Sequence, residues 1–526
     1  MEDDDYAENA VERALGSDGC GLPKSVIDAY KGLGVHALYP WQHECLLKHG
    51  VLDGLRHLVY CTPTSGGKSL VADVLVGRSL ASGRKALLAL PYNALVEEAA
   101  DRLRTLFGGM RTTGRRRKLQ GHANKVKVEG CYESKGRSSF DDDDVDVLVC
   151  TYERANGVIN RALDSDVGLS TIGTIVIDEV HMLSEPSRGF LIEQLLIKVL
   201  AQKNKTAGAH AAQTAKASFG NRGSAAKSHT ASSSKGPQII CMSATLGNPQ
   251  KLASWLDAAL YISTDRPVPL HQHVVAPAAR QTKRFRLWRY DEASRAFDAS
   301  AEGLQGLPEG CTTEIDAITA LAEGVKGGVL VFCHQKLLVE RTAKEIAAKL
   351  SSRQGAADRV PNGRCLELLD ALAEGTSSRR ELLQETVPLG IGIHHAGLSE
   401  HEKRCIEVGF RSGALTILCS TSTLAAGVNL PAVRTIICKP DEWRWFAAAG
   451  ESKWVQATEY RQMAGRAGRA GLVDHGEAYL IVSEHSKCTR ALELLNQPAG
   501  KLESRMIAAK HHQPPQPALQ QPQQQQ

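Results

Sequence analysis

The sequence predicts an α/β fold of two tandem domains, each a mostly parallel sheet with helices on both faces, and three observations carry that prediction. From Arg56 onward, short apolar or β-branched runs alternate with helical stretches, the pattern of a parallel sheet covered on both sides. The runs fall into two sets separated by a proline-punctuated segment. With 526 residues, 42% of them hydrophobic, the chain can fill more than one core.

The first set reads Leu58 to Thr62, Lys85 to Leu90, Val145 to Cys150, Thr174 to Asp178 and Gln238 to Met242. The second reads Gly328 to Cys333, Gly390 to His394, Leu415 to Cys419, Arg434 to Cys438 and Glu477 to Val482, each followed by a loop with polar or glycine residues. Between them RPVPLHQHVV, Arg266 to Val275, reads as an extended link. The predicted order is an acidic N-terminal segment over 1–24, a first domain over 25–264, a linker and start of the second domain over 265–325, the second domain over 326–495 and a Gln/Pro-rich tail over 496–526. Two stretches near 108–146 and 201–236 read as loop insertions, too polar or too low in complexity to pack a core. The first holds a basic run, Arg115 to Lys118, and an acidic one, Asp141 to Asp144; a solvated loop is the reading taken over a nuclear-localisation or phosphate-binding role.

Bulk properties exclude several classes. A net charge of +5 is mild, so any surface for a polyanion must be local. The 13 cysteines are scattered without C-x-x-C spacing and read as buried thiols in a reducing compartment, not as a zinc site or disulfide framework. The start MEDDDYAENA lacks a signal core or an Arg-rich presequence, and no apolar run reaches the ~18 residues of a membrane span, so a soluble intracellular protein with no membrane partner is expected.

The chemistry concentrates in short motifs. The first run leads through Thr62, Pro63, Thr64, Ser65, Gly66, Gly67 and Lys68 to Ser69 and then into an apolar-patterned helix, the strand, loop and helix order of a phosphate loop. Glycines let backbone N–H groups close around phosphate oxygens, Lys68 supplies a point charge and Ser69 can hold Mg2+. Thr62 stands where the strict motif has glycine, and a chance glycine turn before a surface lysine is the competing reading of this segment alone. Asp178 and Glu179 end a predicted strand, where parallel sheets bind ligands; the first acid suits Mg2+ and the second suits the attacking water. An ordinary acidic turn is the alternative for those residues taken alone. Far downstream, QMAGRAGR places Arg466 and Arg469 three apart after Gln462, so that arginines from one domain can reach a γ phosphate held by the other. A basic helix end making surface ion pairs is the plainer reading.

Taken in order, LYPWQ (Leu38 to Gln42), TPTSGGKS, LPYNAL (Leu90 to Leu95), DEVH, SAT (Ser243 to Thr245), STLAAGVNLPA (Ser422 to Ala432) and QMAGRAGR resemble the motor of superfamily two helicases, whose domains are RecA-like. Within that superfamily VCTYERANGVINRAL, DEVHMLSEPSRGFLIEQLL and IHHAGLSEHEKRCIEVGFRSG are similar to the helicase domain of DNA polymerase theta, including its plant relatives, and to archaeal and animal repair helicases of the same branch. The resemblance spans Tyr39 to about Leu495. It implies two tandem RecA-like domains with an ATP cleft between them, ATP and Mg2+ as cofactors, 3′ to 5′ movement on single-stranded or partly duplex DNA, a role with other repair factors in double-strand break repair by end joining, and a nuclear location.

Carried over by residue, the resemblance implies adenine recognition by Gln42 and nucleotide contacts by Gly427 and Asn429. It implies coupling by His181, Ser243 and Thr245, and water placement by Gln462. For DNA it implies Pro91, Asn93, Thr151, Arg154 and Asn156 in the first domain, with His395, Thr421 and Thr423 in the second. Thr151 and Thr423 also read as simple turn or cap residues. These contacts should go mainly to phosphate and sugar.

The sequence departs from the family in two places. The winged helix and ratchet bundle that normally follow are not found after Met506, which favours ATPase and translocation over processive strand separation. DEWRWFAAAGESKW, Asp441 to Trp454, is an extra aromatic segment, read as packing on its own domain in preference to stacking on bases. An RNA helicase of the related branch and a DNA-binding scaffold with a weak motor remain the alternative functions.

Overall fold

A computed structural model describes residues 10–497 apart from 17–18, 65, 113–123, 133–144, 166–167, 186–187, 203–235, 245, 279–283, 299–306, 309–310, 353–362, 375–378, 429, 431, 444–453 and 469–472. The basic and acidic runs of the first insertion, most of the second insertion and of the tail, and Arg444, Trp445 and Phe446 lie outside the described residues. The described residues form two compact units, one made of the chain up to Cys61 and Ser69–Tyr261, the other of the chain from Ile262 onward together with the glycine loop Thr62–Lys68.

The first unit is built on β1 (His57–Cys61), β2 (Lys85–Leu90), β5 (Val128–Cys131), β6 (Val147–Thr151), β7 (Ile172–Ile177), β8 (Gln238–Ser243) and β9 (Ala258–Ile262), with a separate pair β3 (Arg111–Thr112) and β4 (Asn124–Lys125). Its seven-stranded sheet runs β5-β6-β2-β7-β8-β1-β9. The runs HLVYC, VLVCT, IGTIVI and QIICMS are buried along their whole length, as befits parallel strands covered on both faces. Alternation assigns the faces: Leu58 and Tyr60 enter one core and Val59 the other.

The second unit is built on β10 (Leu270–Pro277), β11 (Phe285–Asp291), β12 (Ala296–Phe297), β13 (Val329–Phe332), β14 (Ile391–His394), β15 (Ile417–Ser420), β16 (Arg434–Cys438) and β17 (Gly476–Ile481). They form an eight-stranded sheet in the order β12-β11-β10-β17-β16-β13-β15-β14. Strands β10 to β11 and β11 to β12 pair antiparallel, while the pairs from β10 through β17, β16, β13 and β15 to β14 are parallel.

Three segments differ from the sequence reading. Arg266 to Val275 is not a free link, because Leu270–Pro277 is a sheet strand bonded to β17 on one side and β11 on the other, with Val274 and Val275 fully buried. The prolines that signalled a linker precede most of the strand, where Pro269 only has to offer its carbonyl to Gly476 N at 2.8 Å. The region 108–146 contributes β5, which pairs parallel with β6 and buries Val128 and Cys131. Within 1–24, the helix Ala10–Leu15 buries Val11 and Leu15, with Cys20 and Leu22, in the first unit's core. All 13 cysteines are free thiols and all but Cys405 are buried. Among the described residues, no helix is long and apolar enough to cross a membrane.

The helix Glu314–Ala322 of the second unit starts with a capping box, Thr313 Oγ1 accepting from Asp316 N while the Asp316 carboxylate reaches back to Thr313 N at 2.9 Å. Asp316 also meets Lys349 Nζ at 2.7 Å. Burial opposes its charge, but the bonds from Lys349 and Thr313 outweigh it and hold the carboxyl below its usual range. A depressed folded value means that this stabilisation is present above the unfolded value near ~3.9 and is lost as pH falls through the folded one. Asp316→Asn should therefore lower the stability of the second unit at pH 7 by about 1 kcal/mol in chemical denaturation. The difference from wild type should shrink below about pH 4; a difference unchanged down to pH 3 would contradict this account.

Candidate functional site

Parallel register fixes where the motif-bearing strand ends lie. Cys61 of β1 sits beside Ser243 of β8, Ile177 of β7 beside Cys241, Ala89 of β2 beside Ile177, and Leu90 beside Thr151 of β6. The carboxyl ends of β6, β2, β7, β8 and β1 thus line one edge of the sheet, the edge at which open α/β sheets bind ligands.

At β1 the chain enters the glycine loop. Gly66 N donates to Pro63 O at 3.1 Å. A Cβ on Gly66 would lie 2.7 Å from Thr62 Oγ1 and 2.9 Å from Pro63 O, so only glycine lets the backbone close here. Gly67 adopts φ +79, which an L side chain disfavours. Thr62 is buried, Pro63 and Thr64 are half-buried, and the loop feeds the helix Lys68–Ala81. Its first residues, Lys68 and Ser69, stand where a helix N-terminus offers N–H groups and a favourable dipole to an anion.

At β7 the backbone N of Asp178 donates to Ala89 O at 3.1 Å, and its carbonyl accepts from the Tyr152 hydroxyl at 2.6 Å. Asp178 Oδ1 accepts from Glu179 N at 2.7 Å. Glu179 is held at φ 49, a left-handed conformation costly for a non-glycine residue and concentrated at functional sites. His181 joins this turn to β8: its Nδ1 lies 3.2 Å from Glu179 Oε2 and 3.0 Å from the fully buried Ser243 Oγ. One cavity of about 80 Å³ is lined by both Ser69 and Asp178, together with Glu98, Arg102 and apolar side chains. The Ser69 hydroxyl and the Asp178 carboxylate are hard oxygen donors of the kind that fit Mg2+, which also takes water and substrate phosphate. Among the described residues no group of three His, Cys, Asp or Glu side chains could hold a metal ion.

Other predicted residues are placed as follows. Gln42 is 2% exposed, and its Oε1 accepts from Tyr39 N at 2.8 Å as part of a helix-start capping box. Pro91 and Thr151 are buried, while Asn93 is exposed at the start of the helix Asn93–Phe107 and Arg154 is half-buried. Asn156 is committed to packing: its amide donates to Tyr152 O at 3.1 Å and Leu191 O at 2.8 Å, and its Oδ1 accepts from Lys198 Nζ at 2.9 Å. This corrects its reading as a DNA contact, because the side chain is buried and both amide hydrogens and the carbonyl oxygen already have protein partners.

His395 is corrected likewise. Its side chain is 0% exposed, with Nδ1 accepting from Gly397 N at 3.0 Å and Nε2 lying 3.1 Å from Glu340 Oε1, which also accepts from Arg379 Nε at 2.9 Å. It braces the loop after β14 from within. The Thr421 and Thr423 hydroxyls are 2.9 Å apart and accessible after β15, and Gly427 closes the short helix Thr423–Gly427. Gln462 is half-buried on the helix Ala457–Ala464. Arg466 donates from Nε to Ala425 O and from Nη1 to Val428 O, both at 2.8 Å, so its guanidinium ties two segments of its own unit together. Ser65, Thr245, Asn429 and Arg469 lie outside the described residues.

Sequence reasoning missed Arg188. It bonds to Pro91 O, covers the Tyr92 ring at 4.9 Å from its centroid and lies 3.7 Å from Glu153, joining the loop after β2 to the helix after β6. No periodicity marks an isolated arginine whose partners lie far away in sequence.

Comparison with known proteins adds family to geometry. Residues 40–252 match the DEAD/DEAH box helicase family and residues 367–471 the helicase conserved C-terminal domain. The chain is 34% identical to DNA polymerase theta of Mus musculus over 90% of its own length and 17% of that protein. It is 30% identical to Helicase POLQ-like of Homo sapiens over 96% of its length and 41% of that protein. It is 30% identical to ATP-dependent DNA helicase Hel308 of Methanocella arvoryzae over 90% of its length and 54% of that protein. The chain thus spans only part of these longer relatives. The phosphate loop and the Asp178-Glu179 pair lie inside the first match and Arg466 inside the second, so the chain carries a DEAD/DEAH box helicase domain followed by a helicase conserved C-terminal domain, the tandem RecA-like pair that its two sheets form, and is similar to the DNA polymerase theta and Hel308 proteins.

Proposed function

We propose that the protein is an ATP-dependent DNA helicase and translocase that moves 3′ to 5′ on single-stranded DNA. The observation that carries this reading is the joined set at one strand edge: Ser69 and Asp178 on a common cavity, Glu179 beside Asp178, and His181 bridging Glu179 to Ser243. The loop N–H groups and Lys68 bind the nucleotide's phosphates, and Ser69 with Asp178 would hold Mg2+. When bound, that ion neutralises developing phosphate charge. Glu179 orients water and accepts its proton as the bond to the terminal phosphate breaks. His181 carries the resulting change at Glu179 to Ser243 and β8.

DNA as substrate is supported by the names of the relatives, DNA polymerase theta and ATP-dependent DNA helicase Hel308. To this reading we add 3′ to 5′ polarity, end joining with other repair factors and a nuclear location as proposals, on the motif resemblance of the sequence. Exposed Asn93 and Thr423, with half-buried Thr421, are the side chains best placed to meet a sugar-phosphate backbone.

Steady-state hydrolysis with and without oligonucleotide tests the reading. Single-stranded DNA should stimulate ATP hydrolysis more than RNA of equal length; equal or greater stimulation by RNA would make this an RNA-directed motor. Lys68→Ala and Glu179→Gln should each lower the DNA-stimulated rate by at least roughly 100-fold. Wild-type hydrolysis as low as that of both variants would instead mark a binding scaffold. Gly66→Ala should weaken nucleotide binding by at least about 10-fold in a fluorescent-ATP titration, because its methyl group meets Thr62 and Pro63.

A further inference from the structure

We propose that Arg102 is a positioning residue that ties the helix Asn93–Phe107 to the phosphate-loop helix beside Asp178, so that DNA held at the Asn93 end sets the geometry of the hydrolytic edge. The inference rests on the function proposed above and names the part through which nucleic acid reaches the nucleotide.

Arg102 Nη1 bonds Asp73 Oδ2, a pair separated by 29 residues in sequence. Asp73 is four residues beyond Ser69 on the helix Lys68–Ala81, so the two share a helix face. Arg102 also lines the cavity shared by Ser69 and Asp178. One guanidinium therefore reaches the helix that carries the phosphate-loop lysine and serine while bordering the space between Ser69 and Asp178. At its other end, Arg102 belongs to the helix whose first residue is the exposed Asn93. At 1.5 Å per residue, roughly 14 Å of continuous helix connects the two points, and a hydrogen-bonded rod of that length transmits a shift without absorbing it.

The pair is not a surface ornament. The Asp73 side chain is 3% exposed and that of Arg102 30%. Burial pushes the Asp73 carboxyl up and the Arg102 charge pulls it down. Burial likewise opposes the charge on Arg102, and Asp73, Tyr30 and Asp178 restore it, so Arg102 feels the carboxylate at the end of β7. Asp73 Oδ1 and the Tyr30 hydroxyl are both buried without a hydrogen-bond partner, and no other described cation forms a salt bridge with Asp73. A purely structural role would be served as well by neutral side chains of similar shape, since replacing both partners of a buried ion pair is often harmless while removing one is not.

That asymmetry supplies the test. ATP hydrolysis with and without single-stranded DNA, together with chemical denaturation, is measured for wild type, Arg102→Met, Arg102→Lys and the double variant Arg102→Met with Asp73→Asn. Arg102→Met should lower the DNA stimulation ratio by at least about 5-fold, and Arg102→Lys should recover part of it. The double variant should regain stability and keep the loss of stimulation. Recovery of both in the double variant, or full stimulation in a folded Arg102→Met protein, would overturn the proposal. A wild type without DNA stimulation would instead overturn the functional reading on which it rests.

Discussion

The parallel register of the first sheet is the constraint on which the rest depends. Strand pairing sets Cys61 beside Ser243, Cys241 beside Ile177 and Leu90 beside Thr151, so that residues far apart in sequence leave the sheet along one edge. A slip of one residue in any of these strands would turn its buried side chains to the opposite face and shift its motif along the edge. Full burial of β1, β6, β7 and β8 makes such a slip costly, and the chemistry inherits its precision from the core.

The edge itself holds what the core would not tolerate. Gly67 and Glu179 occupy left-handed conformations, and Asp178, Asp73 and Arg102 place charge among apolar neighbours. Each is unfavourable alone and is held by hydrogen bonds from adjacent elements, as Tyr152 and Ala89 hold Asp178. The strand order also sorts the edge. Nucleotide groups gather on β7, β8 and β1, and the loops with candidate DNA residues follow β2 and β6. Asp178 touches both sets, through Ala89 of β2 and Tyr152 after β6.

Continuous apolar runs made most of this legible beforehand. Lys85–Leu90 and Arg434–Cys438 coincide with the runs read from sequence because buried parallel strands leave an unbroken apolar signature. Strand β11, FRLWRYD, left none: only Leu287 and Tyr290 are buried, among half-buried and exposed residues, and its arginines hide it from a search for apolar runs. Leu270–Pro277 was obscured by prolines just before it, and Val128–Cys131 by polar flanks. Motifs reveal which residues matter but not which way a side chain turns, which is why Asn156 and His395 proved internal. Arg188 and the Arg102 to Asp73 pair depend on contacts across long sequence separations that no local pattern encodes.

The division of that edge is open to one direct measurement. Hydrogen exchange of the intact chain is followed by mass spectrometry with a nonhydrolysable ATP analogue and, separately, with a single-stranded oligonucleotide. The account predicts that the nucleotide slows exchange chiefly in peptides covering 62–70 and 177–182, and the oligonucleotide chiefly in those covering 90–96 and the loop after β15. An oligonucleotide that protects only the nucleotide peptides, or a nucleotide that leaves 62–70 unchanged, would contradict it.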